Sequence, residues 1–327
     1  MSINKKNIII LILFILFLFS LYMAIYAGYN NNGIRLFEKS FNLSNDTDSI
    51  ILKILRYPRA FKSIIAGTSL ALAGLFMQAV SKNPLAEPYI TGVSSGAAMG
   101  IVISLIYFNG MNYSLFGFIG AIISSLIVIC FAGLNRFSIS KLILTGLSVN
   151  LFTGSIISLY ILTNPQKAQS LMLILSGGFS SNEIISNKTL FVIFMFAFVI
   201  SLFIISKLNF FRLDENITKS IAKEKKIYMI VVILTSTFLS AISVFAAGIL
   251  GFIGIIAPQL SGMIIGKDYR YLFFSSILIG SILILISDYI SRTLIYPQQI
   301  PLGLVIAFIG APVFIFFLTK KGDIFND

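Results

Sequence analysis

The side chains of this sequence that could do chemistry are few, and most are guanidinium, carboxylate or amide. Arg56 and Arg59 flank Tyr57-Pro58, and Asp288 stands four residues before Arg292. Four residues is about one helical turn, so Asp288 and Arg292 share a face and can form an ion pair. A guanidinium grips a carboxylate through two parallel hydrogen bonds, so these arginines suit recognition of acids. Gln78, Asn83 and Pro84 put two amides and a helix breaker at the end of an apolar stretch. They border either a pathway and its gate or a packed interface. Asn150 sets one amide inside another apolar stretch, as a hydrogen bond between helices or as a substrate contact. Pro258 interrupts a third stretch.

The same inventory excludes several activities. The chain has no histidine and one cysteine, Cys130. The commonest metal ligand and neutral-pH proton shuttle is therefore missing, no Ser-His pair can exist, and no Cys/His cluster offers a zinc site. A nucleotide phosphate loop reads G-x-x-x-x-G-K-[ST]. Its nearest approach, Gly262 to Asp268, is one residue short and ends in aspartate. The chain is read as a non-enzyme that needs no cofactor and no metal. A net charge of +12 would suggest nucleic acid for a soluble protein. Here it is read as loop charge that faces membrane lipid and sets orientation, with no nucleic-acid partner.

The elements that must position these residues follow from composition. Of 327 residues, 57% are hydrophobic and 11% charged, which no ordinary soluble domain matches. A helix of about 20 apolar residues crosses a bilayer. The fold class is an all-α, polytopic membrane bundle, with spans near 8–28, 59–79, 91–108, 113–134, 141–162, 188–207, 228–248, 252–266, 271–290 and 302–319. Residues 8–28 are read as a retained span, not a cleaved signal peptide. With both termini cytoplasmic, most of the 24 basic residues fall on the cytoplasmic side, as orientation rules require. Residues 29–55 then form an external loop with a short helix, and 163–187 a second external segment. Arg56, Arg59 and Arg292 lie at external edges, where orientation rules do not put them; snorkelling to headgroups is the plain explanation. Gly67, Ala71, Gly74 and Gln78 form a small-residue stripe for close helix packing, and Gly146, Asn150, Gly154 and Ser158 form another. Breaks at Pro84 and Pro258 open two sets of spans of opposite direction, a faint inverted repeat. The whole chain, 1–327, reads as one transmembrane domain.

The stretch RYPRAFKSIIAGTSLALAGLFMQAVSKNPLAEPYITGVSSGA, Arg56 to Ala97, resembles the permease subunits of ABC importers for iron–siderophores, haem and cobalamin, the BtuC/FecCD-type family. The shared order is Arg-x-Pro-Arg, a Gly/Ala helix ending in Gln, Asn-Pro-Leu-Ala-x-Pro, then Gly-Val-x-x-Gly-Ala. Gly251-Phe252-x-Gly254 with Pro258, Asp288-x-x-x-Arg292, Pro301-x-Gly303 and Gly310-Ala311-Pro312 continue it. Gln259, Gly262 and Gln299 replace the histidine, arginine and glutamate usual there. Ser176-Gly177-Gly178-Phe179-Ser180 matches only in part, since the chain has no tryptophan.

The resemblance implies a dimer with a second permease subunit, identical or related. It also implies two cytoplasmic ATPase subunits and an extracytoplasmic substrate-binding protein. Substrate would pass between the permease subunits by alternating access. Arg56, Arg59 and Arg292 would meet carboxylates of the binding protein. Residues 207–227 would couple to the ATPase, through Asp214 as helix N-cap, Glu215, and the apolar pair Ile217 and Ile221; taken alone, that amphipathic stretch fits a membrane-surface helix equally well. An iron–siderophore complex is the first choice of cargo, haem the second and cobalamin the third. The reading from a different class is an autonomous secondary transporter. Such proteins usually carry intramembrane charge for ion coupling, whereas Glu87 and Asp288 fall near span ends.

Overall fold

In the computed structural model the described residues are 3–30, 33–36, 50–133, 138–179, 187–209, 222–266 and 268–320. Among them are eleven α-helices: α1 (Ile3–Tyr26), α2 (Tyr57–Ser81), α3 (Val93–Tyr107), α4 (Tyr113–Phe131), α5 (Ile139–Thr163), α6 (Pro165–Leu175), α7 (Asn187–Ile205), α8 (Ala222–Ala247), α9 (Ile253–Ile265), α10 (Tyr269–Thr293) and α11 (Leu302–Lys320). Seven are long and apolar enough to cross a membrane, and α3, α9 and α11 supply shorter apolar helices. These ten coincide with the ten spans read from the sequence. A multi-pass membrane protein follows, because a helix satisfies its own backbone where no water can.

Two connections differ from the sequence reading. The 29–55 connection opens on a hairpin that the sequence reading did not include: the strands β1 (Ala27–Asn30) and β2 (Gly33–Leu36) pair antiparallel, Ala27 opposite Leu36 and Asn30 opposite Gly33. A separation of two residues between paired ends is the commonest in hairpins. A helical segment does occur later, as a π-helical run Ile51–Arg56 that leads into α2. There Tyr57 N–H reaches back to Leu52 O, and Pro58 has no N–H with which to continue the tighter α pattern. The second connection, 163–187, contains α6, which starts at Asn164-Pro165, a normal helix opening that apolar-run reading passes over.

α2 is the centre of the bundle. Its most apolar window is 89% buried, against 17% for α1 and for α5. It packs on α8, α9 and α10, with Phe76, Leu70 and Leu72 fully enclosed. Small residues permit this closeness. A Cβ on Gly67 would lie 2.5 Å from Gly280 O of α10, and one on Gly74 would lie 1.8 Å from Gly254 O of α9. The first stripe read from the sequence is thus a packing surface. Hydroxyls reinforce it: Ser236 Oγ of α8 donates to Ala73 O at 2.7 Å, and Thr68 and Ser281 hydroxyls meet at 3.2 Å. Such bonds hold membrane helices together where hydrophobicity gives no preference for protein over lipid.

Candidate functional site

Two clusters gather the polar groups. The first joins the end of α1, the start of α2 and the end of α10. Arg59 Nε donates to Asp288 Oδ1 at 2.5 Å, and its Nη1 to Gln299 Oε1 at 3.0 Å. Arg292 Nε donates to Asp288 Oδ2 at 3.0 Å, and its Nη2 to Ala24 O at 2.8 Å. Arg56 Nη1 donates to Ile25 O at 3.1 Å and to Ala27 O. The last carbonyls of a helix have no partner within it, and two guanidinium groups fill that need for α1. The Asp288 side chain is 2% exposed, while Arg59 and Arg292 keep 16% and 11%. Arg59 also lies over the Phe179 ring, 5.4 Å from its centroid. Among the described residues Arg59 and Arg292 share the Asp288 carboxylate with Arg56 close by, and Arg59 and Arg292 keep part of their surface open to an acidic partner.

The second cluster is a junction of helix breaks. Pro258 sits inside α9 and cannot donate to Gly254 O four residues back. Gln78 of α2 supplies the missing donor: its Nε2 lies 3.2 Å from Gly254 O and 3.4 Å from Ile255 O. Gln259 Nε2 in turn donates to Gln78 Oε1 at 3.2 Å and to Pro84 O at 2.7 Å. Asn83 turns inward on its own loop, where its Oδ1 accepts Leu85 N–H at 2.9 Å. Beyond it a 3₁₀ turn, Pro88–Thr91, faces the break between α8 and α9. Glu87 Oε1 accepts Phe252 N–H at 3.0 Å. Tyr89 OH donates to Leu250 O at 2.7 Å and accepts Leu250 N–H at 3.0 Å. The loop after α6 closes the ring, with Gly178 N–H on Ala247 O at 2.9 Å, and Leu302 and Gly303 N–H on Gly177 O and Ser176 O.

Burial pushes the Glu87 carboxyl up to about 7, and the Phe252 N–H acts in the opposite sense. Burial likewise raises the Tyr89 phenol, and the nearby Glu87 charge adds to the rise, while Leu250 N–H opposes it. Tyr89 therefore stays neutral and can serve as donor and acceptor at once.

The sequence-derived residues thus divide. Arg56, Arg59 and Arg292 come together, as do Gln78, Pro84 and Pro258, with Asn83 on the adjoining turn. Asn150 joins neither set. It lies on α5 with its Oδ1 buried and unpaired. One turn away, a Cβ on Gly146 would meet Ile90 O at 1.8 Å, whereas one on Gly154 meets nothing within 4 Å. The second stripe is therefore a packing surface within the chain at Gly146, and open space at Gly154. Asp214, Glu215, Ile217 and Ile221 lie outside the described residues; of the 207–227 stretch, residues from Ala222 onward belong to α8. Glu87, Tyr89 and Phe252 are functional candidates that sequence reading passed over. The one signal for Glu87 was a carboxylate between two prolines in an almost uncharged region.

The arrangement holds helices together at their breaks and ends. Among the described residues no group of three or more acids, cysteines or histidines is placed to hold a metal. The chain is 30% identical over 325 residues to the Bacillus subtilis protein YfiZ, described as a siderophore transport system permease; the match covers 98% of this chain and 97% of that one. It is also 30% identical to the Bacillus subtilis Fe(3+)-citrate import system permease protein YfmD, over 98% of this chain and 96% of its relative. A solved structure described as an inward-facing conformation of a metal-chelate type ABC transporter superposes with a TM-score of 0.81 at 27% identity, covering 96% of this chain and 99% of that one. The model of the FecCD transport family matches residues 11–320, which take in both clusters and every described helix except the first residues of α1, and the chain belongs to that family.

Proposed function

We propose that this protein is the permease subunit of a binding-protein-dependent ABC importer, and that its cargo is an iron chelate of the siderophore type. The observation that carries the reading is the end-to-end correspondence with permeases described for siderophore and ferric citrate. The chain acts as one transmembrane unit beside a second permease subunit, with two ATPase subunits in the cytoplasm and a binding protein on the other side. Sparse burial of α5, with Asn150 and Gly154 on it, supports a face completed by that second subunit, with the path running between the two. Residues 207–227 dock the ATPase, and the junction of breaks around Gln78, Pro84 and Pro258 forms the moving part of an alternating-access gate. ATP is bound and hydrolysed by the partner alone.

The test is to copurify the chain with its ATPase and binding protein, identify the bound ligand, and measure ATP-driven uptake of a ferric siderophore into proteoliposomes. Uptake that needs all three components is expected. Haem or cobalamin as the bound ligand would move the cargo assignment within the family. Uptake by this chain alone under an ion gradient would refute the importer reading.

The arginine cluster supports two roles. Its partly exposed guanidinium groups fit docking of carboxylates on the binding protein. Its bonds to Ala24, Ile25, Ala27 and Asp288 fit a rivet that joins α1, α2 and α10. Charge reversal at Arg56, with folding monitored alongside affinity, separates the two.

A further inference from the structure

The chain between α8 and α9 turns at Phe252 in a way that residues other than glycine seldom adopt. Its φ is +67° and its ψ −31°, and Ile253 N–H donates to Gly251 O at 2.9 Å. This is a three-residue γ-turn with a positive central φ, a rare and strained form. A bulky side chain in that region persists only where its surroundings impose it. The surroundings here are one segment that lies far away in sequence. Glu87 takes the Phe252 N–H, which as a helix-start donor has no acceptor within α9. Tyr89 fixes Leu250 through both its carbonyl and its N–H. Two residues past the turn, Gly254 abuts Gly74 of α2, and the Phe252 side chain itself fills the space beside Gly310 of α11. Phe252 therefore stands where the start of α9 meets both helices.

We infer that Glu87 is a positioning residue for translocation: its carboxyl group latches the α8–α9 turn in the strained form, and release of the Phe252 N–H lets the start of α9 take a second arrangement. The inference rests on the importer reading for the word translocation, and on geometry alone for the latch.

A double-mutant cycle tests it. Gly251→Cys in a Cys130→Ala background reports the turn, since a Cβ at 251 meets nothing within 4 Å. The full-length chain in lipid nanodiscs is labelled with N-ethylmaleimide. Glu87→Ala should raise the labelling rate about fivefold, and Glu87→Gln, which keeps an acceptor oxygen, less than about twofold. Glycine at 252 is free of strain at positive φ, so adding Glu87→Ala to Phe252→Gly should change the rate by less than about twofold, the non-additivity of a coupled pair. In the assembled importer, ATP-driven uptake of a ferric siderophore should fall at least tenfold with Glu87→Ala and stay within about threefold with Glu87→Gln. Should Glu87→Ala not assemble, Glu87→Asp, one methylene shorter, takes its place. The latch is overturned if Glu87→Ala labels as the parent does, if Glu87→Gln opens the turn as far as Glu87→Ala, or if Glu87→Ala has the same effect in both backgrounds. Uptake unchanged by Glu87→Ala overturns the link to translocation. Failure of the importer reading shows differently, as a wild-type complex that moves no ferric siderophore while the labelling cycle is unaffected.

Discussion

Replacing Asp288 by asparagine removes one buried charge and little else. Its oxygens lie 2.5 Å from Arg59 Nε and 3.0 Å from Arg292 Nε, and its side chain is 2% exposed. With charge centres about 4 Å apart and an effective dielectric of about 20, each attraction is worth roughly 4 kcal/mol before desolvation is counted. Removing one partner of a buried pair leaves the other uncompensated, at a cost of about 3–5 kcal/mol. Two features set the expectation at the lower end. The arginines keep some contact with solvent, and each retains a neutral acceptor, Gln299 Oε1 for Arg59 and Ala24 O for Arg292. For a chain of 327 residues a loss of about 3 kcal/mol lowers the unfolding midpoint by roughly 4 °C. The assay is thermal unfolding of the purified protein in nanodiscs, followed by circular dichroism at low and high salt. The drop should survive high salt, because buried pairs are screened little. A midpoint within about 1 °C of the parent protein would refute the claim that this carboxylate holds α2 to α10.

Three further outcomes are expected. Gly74→Ala forces a Cβ into Gly254 O and should cost about 1–3 kcal/mol or more, whereas Gly154→Ala, in open space inside a helix, should cost nothing and stabilise by up to about 1 kcal/mol; equal midpoints would show that α2 and α9 are not in backbone contact. Glu87 titrates near 7 when folded, above its ordinary 4.5, so the folded state binds the extra proton in that window. Its contribution is complete below about pH 4.5 and lost as pH rises to about 7, on the order of 3 kcal/mol in all; Tyr89, the titratable neighbour in the same turn, stays neutral throughout. Glu87→Gln should flatten that part of the stability–pH curve, and an unchanged slope would assign it elsewhere. Arg56→Glu, Arg59→Glu and Arg292→Glu should each weaken binding-protein docking, by about 2–5 kcal/mol if the pair formed is desolvated, with recovery by Glu→Arg on the partner. Affinity unchanged in all three, with folding intact, would leave the cluster a structural rivet only.

The candidate site was legible in proportion to how local its parts are. Asp288 and Arg292 could be paired from their spacing because one helical turn sets their distance. Gln78, Pro84 and Pro258 were visible as amides and breakers in apolar runs, but not their relation. That Gln78 donates to the very carbonyl Pro258 leaves free depends on α2 and α9 lying side by side. Gln259 and Gln299 read as departures from a family pattern, yet each has a partner, Pro84 O with Gln78 and Arg59 respectively.

What the sequence alone determined is the number, length and order of the membrane helices. The bilayer demands about 20 apolar residues per crossing and leaves the backbone no partner but itself, so span boundaries are written in composition. What it could not determine is which helix is central. α1 and α2 both read as spans, yet one is mostly exposed and the other enclosed, because lipid tails and protein interiors are alike in polarity and hydropathy cannot tell them apart. Only the folded chain brings Arg59 to Asp288 across 229 residues and Glu87 to Phe252 across 165. It does so through glycine contacts that let backbones approach until single hydrogen bonds choose the neighbour.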